Sequence, residues 1–187
     1  MKAEIPFFRI KREHAAGLVI DIQEKLFPFI SGHEDFALKS GILIKGLMVL
    51  KIPIIITEQY TKGLGPTIQP VRELFDTGSQ LEKLAFSCCD DPTIMDRLKS
   101  LNKKFIIITG IETHVCILQT AIDLLERDFV PVVVEDCVSS RRLNDKNMAI
   151  NRMRRMGMVI TTYESVLFEL LRFSGTEEFK AISRLVK

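Results

Sequence analysis

The sequence predicts an α/β fold, in which three layers are doubly wound around a parallel sheet of about six strands. Several apolar segments of strand length are continuous and rich in Ile and Val, as in strands that are buried on both faces of a parallel sheet. Segments with helical periodicity separate them. This alternation of strand and helix is typical of doubly wound α/β proteins.

The elements follow in a regular order. The predicted strands are residues 15–20, 53–57, 105–109, 131–135 and 158–162, with 81–85 as a further short strand. The predicted helices are residues 36–50, 92–101, 116–127 and 145–156, the last with Asn144 as its cap. Residues 163–187 are predicted to be helical with a break at Ser174 and Gly175, and residues 62–70 and 87–92 to be loops.

The composition fits a single domain that spans residues 1–187. The chain has 187 residues, of which 47% are hydrophobic. A domain of this length buries roughly 70% of the surface that it exposes when unfolded. The sequence contains no internal repeat, low-complexity tract or inter-domain linker.

The net charge of +2 argues against an obligate nucleic-acid-binding protein. One basic cluster keeps a ribonuclease or RNA-binding function open as an alternative. Its members are Arg141, Arg142, Lys146, Arg152, Arg154 and Arg155. No aromatic residue lies within the cluster to stack on bases, so a solvated helix face is the favoured interpretation.

The sequence predicts neither a membrane protein nor a secreted one. No uncharged apolar run reaches the ~18 residues of a membrane helix. The N-terminus mixes Lys2 and Arg9 with Glu4 and Glu13 and lacks the apolar core of a signal peptide. The cysteines are Cys88, Cys89, Cys116 and Cys137, without a C-x-x-C pair. We expect a cytoplasmic protein, with the mitochondrion as the open alternative, and no metal ion or cofactor.

Polar residues at the ends of predicted strands are candidate site residues, because doubly wound sheets bind ligands at the carboxyl ends of their strands. They are Asp21, Gln23, Glu58, Gln59, Tyr60, Lys83, the turn from Glu112 to Cys116, Glu135 and Asp136. Position alone selects these residues without assigning their chemistry.

Cys116 is the strongest candidate for a nucleophile. Residues 105–116 predict a buried strand, a tight turn and a cysteine that opens an amphipathic helix. The N–H groups and the dipole of a helix N-terminus favour a thiolate, and they can lower a Cys pKa from about 8.5 into the range of roughly 3.5–7.5. The alternative is an inert, buried thiol.

If Asp21 and Lys83 converge on Cys116, each of the three side chains has a chemical task. The ammonium stabilises a thiolate, the carboxylate takes up the thiol proton, and helix N–H groups hold an oxyanion. Considered separately, each residue has a more common role. Asp21 would cap a helix or a loop, and Lys83 would extend its charge to solvent.

These residues and their surroundings resemble the isochorismatase-like cysteine hydrolases, a family that includes nicotinamidases and N-carbamoylsarcosine amidases. The resemblance covers nearly the whole chain. It rests on Val19-Ile20-Asp21-Ile22-Gln23, on Lys83 and on Gly110-Ile111-Glu112-Thr113-His114-Val115-Cys116. Residues 57–67 and 83–87 are most similar to the branch called isochorismatase domain-containing proteins.

The resemblance implies a Rossmann-like fold and a catalytic triad of Cys116, Asp21 and Lys83. It also implies a cis peptide between Ile111 and Glu112, an oxyanion hole formed by the backbone N–H groups of Glu112 and Cys116, and assembly as a homo-oligomer. Nicotinamidases that bind metal have an Asp-x-His motif after the second strand. This chain lacks it there, so no metal ligand set is expected.

We therefore expect a cysteine hydrolase that acts on a small-molecule substrate of the amide-like or vinyl-ether-like kind. Gln23, Phe27, Tyr60 and Phe86 are the expected substrate contacts, the aromatic ones as apolar walls. The carboxylate of Glu112 disfavours anionic substrates unless it pairs with a cation. The second alternative is a non-catalytic interaction module of the same fold, whose pocket is idle.

Overall fold

The computed structural model describes residues 9–187, and its architecture confirms the predicted α/β fold. The N-terminal Lys2 and Glu4 lie outside the described residues. The strands are β1 (Ala15–Ile20), β2 (Ile54–Gln59), β3 (Leu81–Lys83), β4 (Phe105–Ile111), β5 (Val130–Ser139) and β6 (Val159–Thr161). They form one sheet in the order β3-β2-β1-β4-β5-β6, and all neighbouring pairs are parallel.

The α-helices fill the connections between the strands and the C-terminal segment. They are α1 (His33–Val49), α2 (Thr61–Leu64), α3 (Gln69–Arg72), α4 (Pro92–Ser100), α5 (Leu118–Glu126), α6 (Leu143–Arg155), α7 (Tyr163–Leu171) and α8 (Glu177–Leu185). The C-terminal segment breaks between α7 and α8, where Gly175 has a φ of +83°. This break agrees with the one predicted at Ser174 and Gly175.

Helices cover both faces of the sheet and complete the three layers. Successive side chains of a strand point to opposite faces, so neighbours on β4 enter different cores. Ile108 packs in a cluster with Leu98 of α4 and with residues of α5 and α6. Ile107 packs on the opposite face with Leu47 of α1 and with residues of α7 and α8.

The ends of the helices and strands are predicted less accurately than their existence and type. β1 has the predicted limits, but β4 and β5 continue past residues 109 and 135, because they pair again after a register shift between Ile108 and Gly110. Helix α6 begins at Leu143 without a side-chain cap, so the predicted cap at Asn144 is wrong. The loop predicted at residues 62–70 contains parts of the short helices α2 and α3.

The strand order changes direction between β1 and β4, and this is where a doubly wound sheet opens a crevice. Gly110 lies opposite Ile20 in this pair and has a φ of +140°. A Cβ at Gly110 would lie 2.1 Å from the carbonyl oxygen of Ile20, so only glycine allows the two backbones to approach this closely. The segments that leave β1 and β4 therefore start side by side.

Candidate active site

Lys83 ends β3, and its ammonium group lies in the interior of the protein. Its side chain has no solvent exposure, which excludes a lysine that extends its charge to solvent. Nζ donates hydrogen bonds to Asp21 Oδ2 at 2.6 Å and to Gln59 Oε1 at 2.7 Å. It also donates to the carbonyl oxygens of Ala85 and Phe86, at 3.2 Å each. Burial is the largest single influence and opposes the charge, but the neighbouring groups, with Asp21 foremost, together outweigh it and raise the pKa of Lys83, so the amine remains an ammonium.

Asp21 follows β1 directly and has a φ of +54°. This backbone conformation turns the chain at the crevice, and the side chain is 1% exposed. Oδ1 accepts a hydrogen bond from Thr57 Oγ1 at 2.8 Å, while Oδ2 accepts the one from Lys83. Asp21 is therefore a buried carboxylate with a charged partner and not a helix cap.

Cys116 lies in a π-helical turn, Thr113–Ile117, which continues into α5. The prediction that Cys116 opens the helix is wrong, because the helical turn already begins at Thr113. The expected lowering of its pKa is also wrong. Burial, and then the negative charge of Asp21, raise the pKa of the Cys116 thiol, and Lys83 opposes this only in part. In the resting site, the sulfur therefore carries its proton.

Glu112 joins β4 to the π-helical turn, and the peptide bond between Ile111 and Glu112 is cis. The Glu112 side chain is buried, and its Oε1 accepts a hydrogen bond from Arg141 Nε at 2.5 Å. The carboxylate of Glu112 is thus paired with a cation. The expectation that it disfavours anionic substrates applied only to an unpaired carboxylate. His114 Nδ1 lies 3.0 Å from Ser140 Oγ, and its Nε2 lies 3.4 Å from Glu112 Oε2.

A cavity of about 280 Å³ connects these groups. Its polar lining consists of Asp21, Gln59, Glu112, Cys116 and Arg141, and its apolar lining of Leu26, Leu64, Phe86, Ile111 and Val115. The volume lies near the lower end of the range of roughly 300–1,000 Å³ that is usual for small-molecule sites. The cavity therefore suits a small ligand with a largely apolar body.

The structure brings together the predicted acid and nucleophile at this cavity, with the amine bonded to the acid. Of the four predicted substrate contacts, only Phe86 lines the cavity. Gln23 is fully buried beside it, where its amide bonds the backbone of Gln59 and of Gly65. These bonds use the polar atoms of Gln23, and its contact with a substrate stays a prediction.

The other two predicted aromatic contacts also lie elsewhere. Phe27 packs edge-on against His33, with 5.1 Å between the ring centroids, and contacts the core below α1. Tyr60 lines a separate, more open cavity with Lys62 and Glu82. Tyr60 adopts a φ of +37° in the turn after β2, which accounts for its position only.

Several polar candidates at strand ends have structural roles. Glu58 accepts hydrogen bonds from the backbone and the hydroxyl group of Thr67, both at 2.7 Å. Asp136 accepts one from the backbone N–H of Tyr163 at the start of α7. Among residues 9–187, no group of acidic, His and Cys side chains could hold a metal ion. Within the same range, no helix has the length and apolar character required to cross a bilayer.

Three of the six members of the basic cluster form ion pairs with neighbouring carboxylates. The ion pairs are Arg141 with Glu112, Arg142 with Asp145 and Arg154 with Glu135. Lys146 is half-buried, and burial lowers its pKa. The cluster is therefore not a continuous surface of free cations for phosphate groups.

Sequence reasoning missed Thr57 and Arg141 as site residues. Thr57 is a polar residue in a buried, Ile-rich strand, and a polar side chain at such a position could have indicated a site residue. The sequence contains no comparable indication for Arg141, since it lies among other basic residues. Only the pairing with Glu112 distinguishes it from them.

Known proteins match the chain along most of its length. Residues 15–165 match the family model for the Isochorismatase domain. Isochorismatase family protein 1B of Dictyostelium discoideum is 38% identical, over 96% of this chain and 89% of the relative. The solved MAR1 ribonuclease of Caenorhabditis elegans is 38% identical with a TM-score of 0.89, over 95% of this chain and 92% of that one. YcaC from Pseudomonas aeruginosa, solved with hexane-2,5-diol and covalent acrylamide, is 25% identical with a TM-score of 0.89, over 96% of this chain and 92% of that one.

Proposed function

Because the chain belongs to the isochorismatase family, we propose that it is a cysteine hydrolase of small amide-like or vinyl-ether-like substrates, with Cys116, Asp21 and Lys83 as its catalytic triad. One observation carries the proposal. Asp21 is bonded to the buried Lys83 ammonium at 2.6 Å and lines the same small cavity as the Cys116 thiol. A buried acid with a charged partner beside a thiol in a cleft is typical of an active site.

For an amide, the first step is attack of Cys116 Sγ on the carbonyl carbon. Since the thiol is protonated at rest, its proton passes to the Asp21 carboxylate as the carbon–sulfur bond forms. The backbone N–H groups of Glu112 and Cys116 hold the oxygen that becomes negative. Collapse of this intermediate breaks the carbon–nitrogen bond, and Asp21 returns its proton to the leaving amine.

The second step releases the acyl group from the sulfur. Asp21, again a carboxylate, takes a proton from a water molecule that attacks the thioester carbonyl. The resulting intermediate expels the Cys116 sulfur, which regains the proton from Asp21. The products are a carboxylic acid and an amine, and the site returns to its resting state.

Lys83 acts through Asp21 by keeping a full positive charge next to it. Its four hydrogen bonds fix the ammonium, so the carboxylate has a constant partner while it exchanges protons with the sulfur and the leaving group. We also expect the protein to form homo-oligomers, as the family resemblance implies, and light scattering on the purified protein measures this directly.

The two alternatives receive less support. An idle pocket does not account for a buried Asp21–Lys83 pair, since burying two charges carries a desolvation penalty that packing alone does not require. The C. elegans relative is named as a ribonuclease, but here three of the five arginines of the basic cluster pair with carboxylates, and no aromatic residue lies within the cluster to stack on bases. A role on RNA is therefore not favoured.

A screen of small amides, ureas and enol ethers tests the proposal. We expect the wild type to hydrolyse at least one class and Cys116→Ala to lose this activity while it keeps its circular dichroism spectrum. Cys137→Ala is the matched control, because Cys137 is fully buried in β5, away from the cavity, and should retain turnover. Equal activity of Cys116→Ala and the wild type would remove the sulfur from the mechanism.

A further inference from the structure

The hydroxyl group of Thr57 is buried and has a single hydrogen to donate. Three atoms lie within reach of its Oγ1, namely Asp21 Oδ1 at 2.8 Å, the carbonyl oxygen of Val19 at 3.5 Å and Cys88 Sγ at 3.9 Å. Burial raises the pKa of the Cys88 thiol to about 12, so the sulfur is uncharged. The carboxylate is thus the nearest acceptor and the charged one, and hydrogen bonds to an ionised acceptor are roughly twice as strong as neutral ones. Thr57 therefore donates to Asp21.

Thr57 holds Asp21 at two points. In the register of β1 and β2, Thr57 lies opposite Ile20, the last residue of β1. Its carbonyl oxygen accepts a hydrogen bond from the backbone N–H of Asp21 at 3.2 Å, and its hydroxyl group donates to the carboxylate. Asp21 itself has a φ of +54°, so the chain has left the extended conformation and β1 no longer fixes the direction of the side chain. The neighbouring strand supplies that constraint through Thr57.

The carboxylate of Asp21 has a donor on each of its oxygens. Lys83 Nζ at the end of β3 binds Oδ2 at 2.6 Å, and Thr57 Oγ1 of β2 binds Oδ1 at 2.8 Å. Each carboxylate oxygen has about two lone-pair sites, so the group keeps the capacity to accept a further hydrogen. A single donor would leave the plane of the carboxylate free to turn, whereas two donors on different strands fix it. Asp21 therefore presents its remaining lone pairs in a constant direction.

We propose that Thr57 is a positioning residue for the hydrolysis, whose hydroxyl group orients the Asp21 carboxylate so that it can take the proton of the Cys116 thiol. A general base has to lie within hydrogen-bond reach of the proton that it accepts, in the correct alignment. Thr57 is not among the residues that line the cavity, so it acts through Asp21 and not on the substrate. This inference rests on the proposed function for its effect on turnover, whereas the orientation of the carboxylate can be measured without a substrate.

Two substitutions separate the hydroxyl group from the shape of the side chain. Thr57→Val keeps the branched shape without the donor, and Thr57→Ser keeps the donor without the methyl group. On the best substrate of the amide, urea and enol-ether screen, the kcat of Thr57→Val should fall about ten- to a hundredfold with KM near the wild-type value. Thr57→Ser should keep most of the wild-type kcat. A packing role predicts the reverse order, because serine leaves a void in the core and valine does not, and that order would overturn the proposal.

Thr109→Val is the matched control. Thr109 is 1% exposed and lies on β4, the other neighbour of β1, where its hydroxyl group donates to the carbonyl oxygen of Cys137 at 2.6 Å. The substitution removes a buried hydroxyl group from the sheet without removing a bond of Asp21, so kcat should stay near the wild-type value. Equal losses in Thr109→Val and Thr57→Val would assign the effect to the sheet and contradict the positioning role. If Thr57→Val does not fold, Thr57→Ala removes the same donor without setting a methyl group against Asp21 Oδ1.

Crystal structures of the wild type and the variants separate this inference from the proposed function. We expect the plane of the Asp21 carboxylate to turn in Thr57→Val and to keep its wild-type orientation in Thr57→Ser. A turned carboxylate together with a lowered kcat supports both proposals. Hydrolysis by the wild type with an unchanged kcat in Thr57→Val supports the hydrolase and overturns the positioning role. A turned carboxylate in a protein that hydrolyses none of the screened compounds supports the orientation of Asp21 by Thr57 and counts against the hydrolase. An unturned carboxylate in Thr57→Val overturns the inference with or without turnover.

Discussion

Two pairs of opposite charge lie at the candidate active-site cavity, and they differ in how far they are exposed to solvent. The inner pair, Asp21 with Lys83, has side-chain exposures of 1% and 0%. The outer pair, Glu112 with Arg141, combines a buried carboxylate with a guanidinium that is 60% exposed. Both pairs are close, at 2.6 and 2.5 Å, so distance does not distinguish them.

Surroundings do distinguish the two pairs. In the inner pair, Thr57 and Gln59 add further hydrogen bonds, so each group has a fixed orientation and no access to bulk water. The charge of Asp21 also acts on the Cys116 thiol. In the outer pair, the guanidinium of Arg141 is largely open to solvent. Of the two, the buried pair is therefore the one suited to moving a proton.

The largest expected effect comes from Asp21→Asn, which removes the base of the inner pair. Turnover should fall by about 10²–10⁴-fold, as is usual for the loss of a general base. Alkylation of Cys116 at pH 7 should become faster, because the charge that raises its pKa is gone while Lys83 remains. Initial rates and peptide mass spectrometry measure the two effects.

Asp96→Asn, on the exposed surface of α4, is the control for Asp21→Asn and should change neither rate. Slower alkylation together with lost turnover would mean that Asp21 activates the sulfur at rest and does not only accept its proton.

The next effect concerns stability. Lys83→Met leaves the Asp21 carboxylate buried without its cation and should lower the free energy of unfolding by about 3–5 kcal/mol. Arg141→Met also leaves a buried carboxylate, Glu112, without its cation, but the guanidinium that it removes is largely exposed, so the loss should be smaller, about 1.5–3 kcal/mol. Urea unfolding of both variants measures the difference, and equal losses would contradict the contrast between the pairs.

The smallest effect is the pH dependence of the thiol. The pKa of Cys116 is raised, so the thiol stays protonated at pH 7–9 and the reactive thiolate is a minor form. Its alkylation rate should therefore increase about tenfold per pH unit over this interval. A plateau below pH 8 would indicate a lowered pKa instead. Arg141→Gln should keep this profile, since the outer pair does not set the charge of the sulfur.

The sequence predicted the layered fold and the inner pair, for different reasons. Continuous Ile- and Val-rich segments define buried strands wherever they occur, so the sheet follows from local pattern. Asp21, Lys83 and Cys116 were selected because they lie at strand ends or in the turn that follows, and the family resemblance combined them. The 2.6 Å contact between Asp21 and Lys83, and the cavity that Asp21 shares with Cys116, depend on the strand order, which local pattern does not encode.

The expectations that the structure does not support depended on contacts between residues that are distant along the chain. Gln23 was expected in the pocket from its spacing to Asp21, but the positive φ of Asp21 interrupts the alternation of side chains. The pKa of Cys116 was expected to fall from its place near a helix start. Burial and a carboxylate from β1, distant along the chain, reverse that direction. Arg141 was grouped with its basic neighbours because only the folded chain brings it to Glu112.

The contact between Gly110 and the carbonyl of Ile20 has a consequence for how this protein can be redesigned. It fixes the spacing of the two central backbones one residue before Asp21 and shortly before Glu112. The reaction machinery is thus anchored to the rigid middle of the sheet, while Arg141 is carried by the segment between β5 and α6. A change in that peripheral segment should therefore disturb the position of Asp21 less than a substitution of Gly110 does.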